Sequence, residues 1–296
     1  MANLWNPLYL PYGSLTNWYD STDTTTLTLS TNDTVANWRD KSYKANNLSE
    51  TDFADLPLYG TTNINGLSTV DFDGGNAINL DDEIIPINGN MYMMYVGFNN
   101  TFNAASTMFN FNGASLDDSL IIRTTQSDRT QLFLKDTTGN IGNINITQDL
   151  QNQAAVYTIG ISGLKTTLEV NYLSGGNPSL SGIIEPMPRP LPPLNKLTLG
   201  AQNINQPDDI NGLNGQVGEF IVFTFSDSDE VVTYKQKLEG YTAWKWGLVG
   251  GLPGDHPYKT AAPTVTDVEF RNKLYETSTE EGSSRFRRLF ALGYVG

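Results

Sequence analysis

The chain has 296 residues, with 18 basic and 32 acidic side chains, a net charge of −14 and no cysteine. Such a field repels nucleic-acid phosphates and anionic membrane surfaces, and the missing thiols exclude disulfides and thiolate metal sites. Charged residues are only 17% of the chain and glycines number 27, a balance that favours sheet over helix. No window approaches 18 apolar residues, so no membrane insertion is expected. The opening Met1-Ala2-Asn3-Leu4-Trp5-Asn6-Pro7 lacks the basic and apolar regions of a secretion signal. The chain is therefore expected to fold in a cytoplasm and to reach any outer surface by a route other than ordinary secretion.

In chain order, short alternating or apolar runs at 68–72, 90–98, 106–111, 119–123, 131–135, 155–162, 166–172, 196–202 and 216–225 predict strands. Between them stand Asp73-Gly74-Gly75-Asn76, Asn112-Gly113, Thr138-Gly139-Asn140, Ser174-Gly175-Gly176-Asn177 and Asn211-Gly212, which supply the positive φ angles of tight turns. Leu168, Val170 and Tyr172 alternate with Thr167, Glu169 and Asn171, as in a half-buried strand. Pro186, Pro188, Pro190, Pro192 and Pro193 remove too many donors for a central strand and predict a stiff exposed loop.

One helix follows. Ser226-Asp227-Ser228-Asp229 offers capping oxygens, and Val231, Lys235, Leu238, Tyr241 and Lys245 fall at helical spacing before a terminating Gly247. Its apolar face, Val231, Leu238 and Tyr241, is expected against the sandwich edge. Trp244 and Trp246 lie two apart and cannot share one face, so one should plug the edge and the other cover the 247–257 turn. After Pro263 the chain turns polar, then reaches Arg285, Phe286, Arg287, Arg288, Leu289, Phe290 and Tyr294. Arginines and aromatics in one run have the composition of an interface hot spot, and this run is the candidate partner-docking segment.

Three stretches carry a family resemblance. The first is Trp18-Tyr19-Asp20-Ser21-Thr22-Asp23 with Val35-Ala36-Asn37-Trp38-Arg39-Asp40-Lys41-Ser42; the second is Asn65-Gly66-Leu67-Ser68-Thr69-Val70-Asp71-Phe72-Asp73-Gly74. The third is Gly218-Glu219-Phe220-Ile221-Val222-Phe223, leading to Leu238-Glu239-Gly240-Tyr241-Thr242-Ala243-Trp244-Lys245-Trp246-Gly247-Leu248 and Leu252-Pro253-Gly254-Asp255-His256-Pro257-Tyr258. Together, over residues 4 to 262, they resemble the concanavalin A-like, laminin-G-like jelly-roll domains of phage structural proteins and large bacterial surface proteins. The resemblance implies an all-β, two-sheet antiparallel jelly-roll sandwich. One C-terminal helix would pack at its edge, and an extended C-terminal tail would follow. It also implies glycan or protein binding, and domains at 1–262 (jelly roll) and 263–296 (docking tail). Such folds often hold Ca²⁺ at a rim, for which Asp81, Asp82 and Glu83, or Asp208 and Asp209, are the candidate ligands.

Catalytic patterns are missing. Glycoside hydrolysis needs two suitably separated carboxyl groups on one cleft, whereas Asp71 and Asp73 sit at a Phe-Asp-Gly turn and Asp117-Asp118 and Asp208-Asp209 are adjacent pairs. No Gly-x-Ser-x-Gly elbow or phosphate-cradling loop occurs, and the one histidine, His256, reads as a turn residue bonded to backbone. The expectation is a non-enzymatic virion structural protein, a capsid decoration, head-fibre or tail-associated component. Its partners would be other virion proteins, copies of itself, or host glycans. A free carbohydrate-binding lectin or bacterial adhesin module is the alternative, and a glycoside hydrolase the third reading.

Overall fold

The computed structural model describes residues 3–80, 90–99, 106–113, 118–125, 129–147, 150, 152–163, 165–171, 180–188, 193–201, 212–225 and 228–279. One sheet has eight strands. In spatial order these are β15 (Leu180–Ile184), β14 (Lys165–Asn171), β13 (Ala154–Ser162), β8 (Asn90–Asn99), β17 (Asn214–Phe225), β6 (Leu67–Asp73) and β5 (Leu58–Ile64). The eighth, β1 (Leu15–Asp20), pairs with the later half of β17, from Leu15 opposite Phe223 to Asp20 opposite Glu219. The second sheet runs β12 (Gly139–Thr147), β11 (Arg129–Asp136), β10 (Ser119–Thr124), β9 (Ser106–Gly113), β16 (Leu194–Leu199), β7 (Ile78–Leu80), β4 (Leu48–Ser49), β3 (Val35–Trp38) and β2 (Leu27–Leu29). Neighbouring strands in both sheets are antiparallel. The expected two-sheet sandwich is what the chain forms, and all nine predicted strands lie within it.

Alternation explains the core. Met91, Met93 and Tyr95 of β8, Tyr157 and Ile159 of β13, and Phe220 and Val222 of β17 meet Phe109 and Phe111 of β9, Leu132 and Leu134 of β11, and Leu197 and Leu199 of β16. Phe109 and Phe220 bridge the sheets with ring centres 4.9 Å apart. At one edge β12 closes on β15, where Gly182 leaves room for Ile144 and a Cβ on Gly142 would stand 2.9 Å from Ile184.

The two sheets differ in what their strands read like. β13 is buried at every position but its last, and β17 is buried almost throughout, as in a sheet covered on both faces. β11 and β12 alternate buried with half-buried or exposed, the pattern of a sheet with one free face. The second covering layer on the eight-stranded sheet is the helix α1 (Ser228–Lys245) together with the N-terminal segment. Trp5, Tyr9, Leu10, Trp18, Met94, Ile221, Phe223, Val231 and Leu238 form one apolar cluster there, and Ile64, Val96, Val156, Ala243, Trp246 and Leu252 a second.

Three sequence expectations change. β9 runs straight through Asn112-Gly113, because the pair continues the ladder with β10 and β16. α1 does bury Val231 and Leu238, but it is not amphipathic: Lys237, Glu239 and Thr242 are buried as well, since the segment after the helix covers its far side. Gly240 is the point of closest approach, where a Cβ would lie 2.7 Å from Tyr258. Finally, the polar stretch after Pro263 does not begin extended. It opens with a helix, α2 (Asp267–Thr279), tied back to the domain by Trp5 N–H donating to the Pro263 carbonyl at 3.0 Å and Val265 N–H to that of Asn3 at 2.9 Å.

Other local readings hold. Gly247 ends α1 with φ 67°, and the Leu248 N–H reaches the Ala243 carbonyl at 2.7 Å. Trp246 is fully buried and plugs the sheet, while Trp244 is 39% exposed and donates from Nε1 to the Tyr258 carbonyl at 2.8 Å. Pro186, Pro188 and Pro193 are exposed, while Met187 between the first two is buried. Pro190 and Pro192 lie outside the described residues, as do Tyr172, the Ser174–Asn177 and Asn211 turn positions, and Ser226 and Asp227.

Candidate functional site

The docking candidates Arg285, Phe286, Arg287, Arg288, Leu289, Phe290 and Tyr294 lie outside the described residues, and so do the calcium candidates Asp81, Asp82, Glu83, Asp208 and Asp209. Among the described residues no group of three or more His, Cys, Asp or Glu side chains is placed to hold a metal ion. No described helix is long and apolar enough to cross a membrane. His256 does accept the Tyr258 N–H on Nδ1 at 3.2 Å, leaving Nε2 to donate to Glu239, 3.3 Å away.

The three motif stretches meet at one buried polar knot between α1 and the eight-stranded sheet. Glu219 points out of β17 and is fully buried. Its Oε1 accepts from Trp18 Nε1 at 2.6 Å and Tyr241 OH at 2.9 Å, and its Oε2 accepts from Trp246 Nε1 at 2.7 Å. Lys245 lies 3.1 Å from Oε2 and also bonds Asp20 at 2.6 Å; Asp20 takes Lys41 at 2.9 Å on its other oxygen. Burial alone would raise the Asp20 carboxyl, but Lys245 and Lys41 outweigh it and hold it down to about 2. Asp40 accepts backbone N–H groups of Trp18, Ser42 and Asn46, yet burial keeps its carboxyl above the ordinary value. Burial next to Glu219 likewise pushes the Tyr241 phenol well up. The second motif joins through Asn65, whose Nδ2 donates to the Trp246 carbonyl at 2.7 Å. Every carboxylate in this knot is committed to donors and shielded from solvent, so its chemistry is that of a fastener for α1.

The outer face of the nine-stranded sheet is different, buried over β7, β16, β9 and most of β10 and accessible on β11 and β12. It is the face turned away from the core, and register places its side chains in rows. One row runs Asn79, Thr198, Asn110, Ile121, Phe133 and Asn143 across β7, β16, β9, β10, β11 and β12. A second runs Lys196, Asn112, Ser119, Lys135 and Asn140, and a third Thr107, Arg123, Gln131 and Asn145. The side chains pass from exposed at Asn143 and Asn145, through half-buried Arg123, Gln131 and Phe133, to buried at Asn110, Asn112, Thr198 and Asn79.

Side-chain hydrogen bonds link the third row: Arg123 Nε to Gln131 Oε1 at 2.9 Å, Gln131 Nε2 to Asn145 Oδ1 at 3.0 Å, and Asn145 Nδ2 to Asn143 Oδ1 at 3.3 Å. The Arg123 guanidinium stands over the Phe133 ring, 5.4 Å from its centre. Deeper in, Asn110 Nδ2 donates to Asn112 Oδ1 at 2.9 Å, and the Thr198 and Ser119 hydroxyls are buried without a hydrogen-bond partner. Amides offer paired donors and acceptors on a rigid β surface, which suits ligands that present many hydroxyls. The sequence reading identified β9, β10, β11 and β16 but neither β7 nor β12, and not their shared face. The signal was present in the alternating Asn110/Asn112, Gln131/Phe133/Lys135 and Asn143/Asn145 positions, which face away from the core between the sheets.

No protein-family model matches the sequence, and no curated protein is similar to it at a significant level. Solved structures share its fold. A mutant of GH54 α-L-arabinofuranosidase soaked with 4-nitrophenyl α-L-arabinofuranoside superposes with a TM-score of 0.51 at 11% identity, covering 79% of this chain and 54% of that one. An arabinofuranosidase complexed with arabinofuranosyl-α-1,2-xylobiose gives 0.50 at 13% identity, with the same coverage. A Ruminococcus gnavus IT-sialidase CBM40 bound to α2,6-sialyllactose covers 56% of this chain and 95% of its own, with a TM-score of 0.43 at 11% identity. The chain spans about half the length of the arabinofuranosidases it matches, and 27% of the sialidase NanB. The shared feature is the lectin-like β-sandwich.

Proposed function

We propose that this chain is a non-enzymatic, glycan-binding jelly roll, and that the accessible outer face of β11 and β12, centred on Arg123, Gln131, Phe133, Asn143 and Asn145, receives the sugar. The observation that carries the reading is the hydrogen-bonded amide chain on the outer face of β11 and β12, the part of that sheet face that stays accessible, next to an aromatic ring. The arabinofuranosidase with the same fold was captured with an arabinofuranosyl-xylobiose, so an oligosaccharide is a ligand class this architecture accommodates. A non-catalytic role is supported by the carboxylates: Asp20, Asp40, Glu219, Glu239 and Glu269 all hold structural donors or cations. A glycan array with the purified chain tests the proposal. Binding that is lost in Phe133→Ala and Asn145→Ala, with folding retained, supports it; glycan binding that survives both changes refutes this face.

The wider setting we propose is a virion, with the sandwich displayed on a particle and the 285–294 run docked to other subunits. Its support is the basic, aromatic composition of that run in a chain of net charge −14. The structure changes how this is tested. Residues 263–269 are stitched to the sandwich through Pro263, Val265 and Glu269, so a clean deletion starts at 280. Loss of particle incorporation on removing 280–296, with an unchanged melting temperature, supports anchoring; undiminished incorporation refutes it.

A further inference from the structure

The sandwich has two ends, and their terminal strands are not protected alike. At one end stand β2, three residues long, and β5, whose pairing with β6 slips between Tyr59 and Asn63 beside a Gly60 with φ 71°. Shortness and irregularity blunt a strand edge, because they break the row of N–H and C=O groups that a further strand could pair with. At the other end stand β12 and β15. β12 is nine residues long, Gly139-Asn140-Ile141-Gly142-Asn143-Ile144-Asn145-Ile146-Thr147, without a charge or a proline. Its one irregularity, opposite Leu134 and Lys135, lies near its start, and 142–147 follow β11 residue for residue. β15, Leu180-Ser181-Gly182-Ile183-Ile184, is also uncharged, and its Ile183 is 55% exposed. Among the described residues no strand pairs with the outer edge of either.

We propose that the outer edge of β12 is an interface with a second copy of this chain, the two β12 strands pairing antiparallel so that the nine-stranded sheets continue into one another. Charge favours a copy meeting here. Each chain carries −14, so two copies repel unless they touch where the side chains are neutral, and β12 is neutral along its whole length. The strand is also complementary to itself. Residues directly opposite in an antiparallel pair point to the same face. From 143 to 147 asparagine and threonine are exposed on the outer face, while Ile144 and Ile146 are buried inward. A two-fold axis through Asn145 sets Asn145 against Asn145, Asn143 against Thr147 and Ile144 against Ile146, so each face meets its like. An axis through Ile144 keeps the match, with Asn143 against Asn145. A slip by one residue turns asparagine toward isoleucine and loses it.

β15 lies against β12 at this end, with the Ile144 side chain packed on Gly182. An axis perpendicular to the sheets therefore carries β15 toward its own copy as well, and the exposed Ile183 gains apolar cover. The pairing stands apart from the glycan-binding reading and is measured without a glycan. Where both hold, the dimer sets two β11–β12 faces edge to edge. Gln131, Phe133, Asn143 and Asn145 then recur on one four-strand surface roughly 14 Å across from β11 to β11.

Sedimentation equilibrium of the full chain, over roughly 1–200 μM, is expected to show a monomer–dimer equilibrium. Asn145→Lys puts like charges at or beside the axis through an exposed side chain, and should weaken the dimer about tenfold or more with the circular dichroism spectrum unchanged. Asn145→Asp should do the same. Mixing the Lys and Asp variants should restore the dimer, because opposite charges then face each other. Thr28→Lys, exposed on β2 at the far end, should leave the parent equilibrium as it was. A chain that stays monomeric throughout the range overturns the proposal. A dimer indifferent to Asn145→Lys overturns the assignment to β12, and its loss on deleting 280–296 instead places the contact in the C-terminal run. Weakening by both charges with no recovery on mixing overturns the symmetric pairing.

Discussion

Glu219 illustrates how one residue organises its surroundings. Three aromatic donors and one lysine converge on a carboxylate with no access to water. Removing one partner of a buried ion pair leaves the other uncompensated, so Glu219→Gln should destabilise the fold by about 3 kcal/mol. A fall in the urea midpoint reads this directly, and an unchanged midpoint would show that the knot contributes nothing. Its neighbour Gly218 makes the same point sterically. A Cβ there would lie 2.6 Å from the Trp246 ring, which cannot yield because it is fully buried, so Gly218→Ala should cost about 1–3 kcal/mol.

Asp20 gives the pH dependence. Its folded value, about 2, lies below the ordinary 3.8. The stability it contributes is therefore complete above roughly pH 4 and is lost as pH falls through 2, an effect of about 2 kcal/mol. Asp40, held above its ordinary value by burial, acts in the opposite direction. Acid titration of unfolding should show the loss between pH 4 and 2 in the parent and a flatter profile in Asp20→Asn; equal slopes would remove Asp20 from the account.

Among the elements, α2 is the one the sequence reading missed, and the reason is physical. Its start carries the capping box Thr266-Asp267-Val268-Glu269, in which Glu269 Oε2 accepts the Thr266 N–H at 2.9 Å and Thr266 Oγ1 accepts the Glu269 N–H at 3.3 Å. The helix that follows is polar, so hydrophobic periodicity gave no sign of it. The same Glu269 also takes Trp5 Nε1 at 3.0 Å and Lys237 Nζ at 2.6 Å, joining three distant parts of the chain. Glu269→Ala should then release α2 and expose Trp5, seen as faster amide exchange across 263–273; unaltered exchange would mean the docking does not depend on it.

Most strands with strong alternation or long apolar runs were legible, though β12 was not; Gly247 as terminator was legible too, as was a tryptophan plug, with Trp244 and Trp246 left undistinguished. Short strands such as β2, β4 and β7 were not, because two or three residues carry no period and their pairing is set by distant partners. The amphipathic reading of α1 failed for a related reason: burial of Lys237 and Glu239 depends on what folds over the helix, which no helical pattern encodes. The proposed ligand face was half legible. Its residues alternate in the sequence, but only register across six strands shows that Asn79, Thr198, Asn110, Phe133 and Asn143 share a row.

At the scale of the whole molecule, the open sheet surface is the outer face of β11 and β12. The helix and N-terminal segment close the eight-stranded sheet, the two sheets close on each other, and the amide-bearing surface of β11 and β12 remains accessible. Phe133 on that face and Trp244 on the opposite side of the molecule are both solvent-accessible aromatic reporters. Hydroxyl-radical footprinting of the chain saturated with the best polysaccharide should show Phe133 protected severalfold while Trp244 oxidises as before. Protection of Trp244 with Phe133 unchanged would place the ligand on the helix side and contradict the account.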